Sequence, residues 1–113
     1  MKSRIIEPNI KGLAEIQSEF DKYQNCAFEQ REASFFSLEL CGECGELANL
    51  EKKIWRDPSE VIDLDKLADE AADVFIALTN YCNARKINLE ASVQNKLKRI
   101  EDRRLAGKMG KTK

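Results

Sequence analysis

The sequence predicts an all-α fold: four helices forming a bundle-like single domain. Three observations carry this expectation. Apolar residues recur at three- and four-residue steps through most of the chain, and no segment alternates as a strand would. With 113 residues there is enough chain for one core but not for two catalytic domains. With 42% hydrophobic residues, five Gly and two Pro, the composition is that of a folded chain rather than a low-complexity one.

The first helix is expected over roughly residues 9–25, with Asn9 after Pro8 as its N-cap and Leu13, Ile16, Phe20 and Tyr23 at helical spacing. The second and longest runs from about Glu32 to Trp55, where Pro58 disfavours helical geometry at Asp57. After a short linker, Asp63 or Asp65 caps a third helix that starts near Leu64 and reaches about Arg85. Asn88 caps the fourth. Gly107 and Gly110 mark its end, so residues 1–106 read as one helical domain and 107–113 as a flexible basic tail.

The third helix carries more apolar surface than one neighbour covers. Leu67, Ala71, Val74, Leu78 and Tyr81 form one stripe, Ile76 lies opposite and Phe75 between them. A thin four-helix unit covers such a helix most simply by doubling its core, so a homodimer or homotetramer is expected.

Composition removes several chemistries. There is no histidine, so neither a Ser-His-Asp nor a Cys-His nucleophile pair can be built, nor a two-histidine zinc site or an E-x-x-H di-iron bundle. Catalysis would rest on carboxylates, Lys, Cys or a metal held by oxygen. No apolar run reaches the ~18 residues of a membrane span, and the N-terminus lacks the apolar stretch of a signal peptide. A cytoplasmic, reducing setting follows, with Cys26, Cys41, Cys44 and Cys82 as thiols. Cys41-Gly-Glu-Cys44 lies inside a helix without a second such pair, so its cysteines read as structural thiols rather than zinc ligands. Gly42 and Gly45 cost about 1 kcal/mol each in a helix, which suggests close approach of another backbone or a ligand.

The net charge of -1 conceals an asymmetry. Eight Lys and Arg stand against Glu101 and Asp102 in residues 96–113, giving +6 and leaving -7 for the first 95 residues. An acidic body with a basic end suits an anionic partner, whether polyanion, head group or nucleotide phosphate; a solvated helix end is the plain alternative.

The second helix holds the most informative irregularity. Phe36, Leu40, Leu47, Leu50 and Ile54 fall on one stripe, and the position that completes its rhythm is Glu43, with Glu39 and Glu46 bordering it. A carboxylate on a core face needs a cation beside it, either a metal or a buried Lys or Arg. On the third helix, Glu70 and Asp73 lie one turn apart beside the apolar stripe. Glu43-x-x-Glu46 and Glu70-x-x-Asp73 can form a four-carboxylate cage across the helix pair, and an all-oxygen set favours Mg²⁺ or Mn²⁺ over zinc.

The strings Gly42-Glu43-Cys44-Gly45-Glu46-Leu47-Ala48 and Asp69-Glu70-Ala71-Ala72-Asp73-Val74-Phe75, followed by Asn88-Leu89-Glu90 and Asn95-Lys96, resemble the MazG-type all-α nucleoside triphosphate pyrophosphohydrolases. The likeness covers about residues 10–104. It implies hydrolysis of a (deoxy)nucleoside triphosphate to monophosphate and pyrophosphate with Mg²⁺, often as removal of unwanted nucleotides. It implies Glu43, Glu46, Glu70 and Asp73 as metal ligands, and Asn95 and Lys96 as phosphate contacts. It also nominates Gln17, Phe20, Tyr23 and Phe28 for the base pocket, with Trp55 a further aromatic; ordinary core packing is the alternative for each. The sequence departs from relatives that place a His in the pocket.

Elementary chemistry runs alongside. A triphosphate approaching four carboxylates is repelled until divalent cations neutralise both. Glu43 or Glu46 can orient the attacking water as a base, while Lys96, with Lys53 or Arg99, can stabilise the leaving pyrophosphate. Free nucleotides rather than nucleic acid are the expected partners. The competing expectations are a non-catalytic helical interaction module that binds a polyanion or a protein, and an oligomeric structural bundle with a buried ion-pair network.

Overall fold

The computed structural model describes residues 11–107, and within them the chain forms four α-helices and no strand. They are α1 (Leu13–Ala27), α2 (Ala33–Arg56), α3 (Leu64–Ala84) and α4 (Leu89–Leu105). The expected all-α class holds, and the bounds of α2, α3 and α4 fall within about a residue of those read from the sequence.

The start of α1 needs correcting. It begins at Leu13 because Gly12 takes a left-handed φ of 95°, outside helical geometry. The expected cap, Asn9, lies outside the described residues. No side chain caps Gly12; instead Ala14 N–H donates to Glu90 Oε1 of α4 at 3.3 Å, so a distant carboxylate serves the exposed amides of the first turn.

The other helix ends follow local chemistry. α2 stops at Arg56, with Lys53 and Arg56 placed favourably against the helix dipole. Asp57 then accepts from Ser59 N–H at 3.0 Å and from its hydroxyl at 2.7 Å, and these bonds hold its carboxyl below the usual range. Of the two candidate caps for α3, Asp63 takes the role, accepting from Lys66 N–H at 3.1 Å. Asn88 caps α4 by accepting from Ala91 N–H at 3.0 Å. Gly107, at φ 73°, closes the chain back onto the Arg104 carbonyl at 3.0 Å. The basic residues Lys108, Lys111 and Lys113, and with them Gly110, lie outside the described residues.

The seven-residue linker between α2 and α3 makes them antiparallel neighbours, and this long hairpin is the spine of the fold. α1 packs on α3, with Phe20 and Phe75 edge to face at 6.1 Å, and α4 packs on α1. A polar clamp fixes this second layer. Gln17 Nε2 donates to the Ile87 carbonyl at 2.8 Å and to Asn83 Oδ1 at 3.2 Å, while Gln17 Oε1 accepts from Leu89 N–H at 2.8 Å. Asn83 Nδ2 returns a bond to the Gln17 carbonyl at 2.9 Å. One amide thus joins α1 to the α3–α4 turn, in which Lys86 adopts a positive φ.

The apolar core is small. Among the described residues Ala33, Phe36, Ala77 and Cys82 are its buried members, whereas Leu38, Trp55, Val61 and Leu64 are largely exposed. Ile76, expected to be covered, is 43% exposed, so within one chain α3 is not buried on all sides. Gly42 and Gly45 are not approached by another backbone of this chain: a Cβ at either would meet nothing within 4 Å among the described residues. Both face open space along α2. All four cysteines are free thiols; Cys26, Cys41 and Cys44 are exposed, and burial pushes the Cys82 thiol up. Among the described residues no helix is long and apolar enough to cross a membrane.

Candidate functional site

The hairpin brings the two acidic pairs together. One carboxylate oxygen from each of Glu43, Glu46 and Glu70 lies within 4.8 Å of the others, and Asp69, Glu70 and Asp73 form a second such set that shares Glu70. The antiparallel register sets Glu43 against Asp73 and Glu46 against Glu70. This placement follows from local sequence: the three-residue steps Glu43 to Glu46 and Glu70 to Asp73 hold each pair on one side of its helix.

The electrostatics are strained. Glu43 Oε2 and Glu70 Oε2 are buried and lack a hydrogen-bond partner among the described residues. Burial pushes the Glu43 carboxyl up, and the neighbouring Asp73, Glu46 and Glu39 push the same way. Burial and the facing Glu46 carboxyl, helped by Glu43 and Asp73, push Glu70 up to about 6. Among the described residues no Lys or Arg ion pair reaches these carboxylates; the pairs present are Lys22 with Glu19, Arg31 with Glu29 and Arg104 with Glu101. Of the two candidates for a compensating cation, a buried basic residue is therefore not supplied by the described residues. Orphaned buried oxygens in an all-carboxylate set fit a hard divalent cation.

An aromatic cavity adjoins the acidic cluster. Of about 730 Å³, it is lined by Phe20, Tyr23, Gln24 and Ala27 of α1, by Phe28, Glu29 and Arg31 of the connection, by Phe35 and Glu39 of α2, and by Ile76 and Asn80 of α3. Tyr23 and Phe28 meet edge to face at 5.7 Å, and the Arg31 guanidinium stacks over the Phe35 ring at 4.7 Å. Glu39 lies one turn before Glu43, and Ile76 lies three residues past Asp73. On both helices a cavity-lining residue therefore lies one turn from a clustered carboxylate.

The nominated residues separate into groups. Glu43, Glu46, Glu70 and Asp73 come together, and Phe20, Tyr23 and Phe28 share the cavity beside them. Gln17 is 8% exposed and its amide is committed to the α3–α4 turn, outside the cavity lining. Trp55 is 79% exposed near the far end of α2, away from that lining. Lys53 lines a separate hollow of about 250 Å³ with Leu50, Val61 and Lys66, seven residues beyond Glu46 and thus ~10 Å along the helix. Asn95 and Lys96 are exposed on α4, which packs on α1.

Sequence reasoning missed Asp69, Gln24, Arg31, Phe35 and Asn80 as lining or cluster residues. Asp69 was findable from its four-residue step to Asp73, and Asn80 from being an amide inside the apolar run of residues 74–82. Arg31 and Phe35 carried no such signal, because their place depends on how the 28–32 connection folds back.

No family model matches the chain, and no solved structure matches it. It is 34% identical over 77 residues to the Gene 37 protein of Mycobacterium phage L5, an alignment spanning 66% of this chain and 68% of the phage protein. The chain belongs to the family of that phage protein.

Proposed function

We propose that this protein is a Mg²⁺-dependent nucleotide pyrophosphohydrolase of the MazG type, converting (deoxy)nucleoside triphosphates to monophosphate and pyrophosphate. The observation that carries the reading is the pair of buried oxygens of Glu43 and Glu70, without a hydrogen-bond partner among the described residues, in a carboxylate cluster one helical turn from the cavity-lining Glu39 and Ile76. Glu43, Glu46, Glu70 and Asp73 would hold the cation. Bound Mg²⁺, or Mn²⁺, would supply charge neutralisation and Lewis acidity toward the phosphates.

The residues divide the remaining work. Phe20, Tyr23 and Phe28 offer faces and edges on which a base stacks, leaving its triphosphate directed along Glu39 toward Glu43. Glu43 or Glu46 accepts the proton of the attacking water as the bond from the α-phosphorus to the bridging oxygen breaks and pyrophosphate leaves. Asn95, Lys96 and Lys53 stabilise charge on the phosphates, which for the α4 residues requires a neighbouring protomer or movement of α4. The exposed Leu38, Trp55, Val61 and Leu64 support a homodimer or homotetramer. The physiological counterpart is house-cleaning of excess or non-canonical dNTPs in the cytoplasm.

The test is release of pyrophosphate from a panel of dNTPs and NTPs with and without Mg²⁺. No release from any of them ends this reading.

A second reading, a non-catalytic helical module that binds a polyanion or partner protein, draws on the exposed Lys96, Lys98, Arg99 and Arg103 of α4. It predicts salt-sensitive polyanion binding that survives Glu43→Gln and Glu70→Gln.

A further inference from the structure

The aromatic cavity contains one buried polar feature that its packing does not require. Asn80, on α3, is 8% exposed and lies inside an apolar run. Its Nδ2 donates to Gln24 Oε1 of α1 at 3.4 Å. Among the described residues this is the one side-chain hydrogen bond either amide makes. Gln24 keeps its Nε2 group as a donor and Asn80 keeps its Oδ1 as an acceptor, on two residues that line the cavity. The same pair forms the partition toward a more polar hollow of about 270 Å³ on its other side. A leucine at either position would join α1 to α3 without placing underused amide groups in a half-closed space.

Resting on the nucleotide-hydrolase reading above, we propose that Gln24 and Asn80 are the specificity-determining pair of this cavity, presenting one donor and one acceptor to the edge of a nucleobase stacked on the aromatic residues. The bond between them fixes the pattern: with Gln24 Oε1 engaged by Asn80, Gln24 turns its donor to the ligand and Asn80 its acceptor. The complementary ligand is a planar ring with an acceptor next to a donor. The pairing edges of adenine, cytosine, thymine and guanine all contain that combination, at different atoms, so the register of the base in the cavity sets the ranking. Gln24→Glu changes the pattern to two acceptors. Guanine answers that pattern with adjacent N1–H and N2–H donors, and the other three bases do not.

The test compares wild type, Gln24→Leu, Asn80→Leu and Gln24→Glu in kcat and KM for dATP, dCTP, dGTP and dTTP with Mg²⁺. Calorimetric titration of the metal-free proteins with the four deoxynucleoside monophosphates runs in parallel. The Leu variants are expected to raise KM about tenfold with kcat nearly unchanged and to flatten the ranking of bases. Gln24→Glu is expected to move guanine up the ranking in both measurements. A purely structural role would lower all four substrates together and leave their order intact. If Asn80→Leu does not fold, the two Gln24 variants, at a half-buried position, carry the test. Wild type that hydrolyses nucleotides while every variant keeps its order overturns the pair and leaves the hydrolase reading standing. Wild type that neither hydrolyses a triphosphate nor binds a monophosphate removes both.

Discussion

Glu43 of α2 and Glu70 of α3 each carry an Oε2 that is buried without a hydrogen-bond partner among the described residues. The two carboxylates, with Glu46, lie within 4.8 Å of one another. Fully ionised and without counter-charge they repel.

That relationship sets the response to divalent cations. Glu43→Gln and Glu70→Gln are expected to reduce Mg²⁺-dependent pyrophosphate release about hundredfold or more, while raising or leaving unchanged the melting temperature of the metal-free protein. Mg²⁺ should raise the melting temperature of wild type more than that of either variant. Calorimetry and a coupled pyrophosphate assay check both halves. Equal Mg²⁺ stabilisation of all three proteins would argue against a cation at this cluster.

The pH dependence has a definite sign. The Glu70 carboxyl stands at about 6 against an ordinary 4.5, and Glu43 is displaced in the same direction. Between those values the folded chain binds more protons than the unfolded chain, so this contribution to stability is present at low pH and is lost as pH rises through about 6. Metal-free protein is therefore expected to melt at a higher temperature at pH 5.5 than at pH 7.5. Saturating Mg²⁺ should narrow the difference, because cation and proton compete for the same oxygens. Melting that drops on acidification over this window would show that other groups dominate.

Gln17 offers a separate test. Its amide satisfies the Ile87 carbonyl and the Leu89 N–H, so Gln17→Leu should cost about 3 kcal/mol through two backbone groups left unmet. Urea denaturation measures the loss. Under the proposed nucleotide-hydrolase function, the surviving folded protein should keep the wild-type order of substrates; a changed order would make Gln17 a ligand contact.

Exposed apolar side chains lead to a mass prediction. With Val61 at 87% and Leu38 at 74% exposure in one chain, sedimentation at micromolar concentration should give a multiple of 12.9 kDa. A single species of 12.9 kDa would count against the oligomer.

The sequence was most readable where local rules act. Asn88 and Asp63 cap their helices because an Asn or Asp before an apolar-periodic run meets the first free amides, and Pro58 stops α2 near the expected residue. The three-residue steps of the carboxylates were likewise legible, because they need only helical geometry. What failed were inferences that depended on partners distant in sequence. The helical glycines Gly42 and Gly45 point to a close neighbour, but none of the described residues approaches them. The N-cap of α1 escaped because its first turn is served by Glu90, 76 residues away from Ala14. Gln17, nominated as a ligand contact, is drawn instead into a clamp with Asn83 and Leu89, whose proximity no periodicity reveals.

The order of residues along the hairpin has one more consequence. Among the described residues the clustered carboxylates fall within residues 43–73, one uninterrupted stretch closed by a short linker. The aromatic cavity, by contrast, draws most of its wall from α1 and the connection after it, and the exposed cations ride on α4. Substitutions in α1 or α4 can therefore vary what is accommodated without disturbing the oxygen cluster. In this fold the cavity wall and the carboxylate cluster are set by different stretches of sequence.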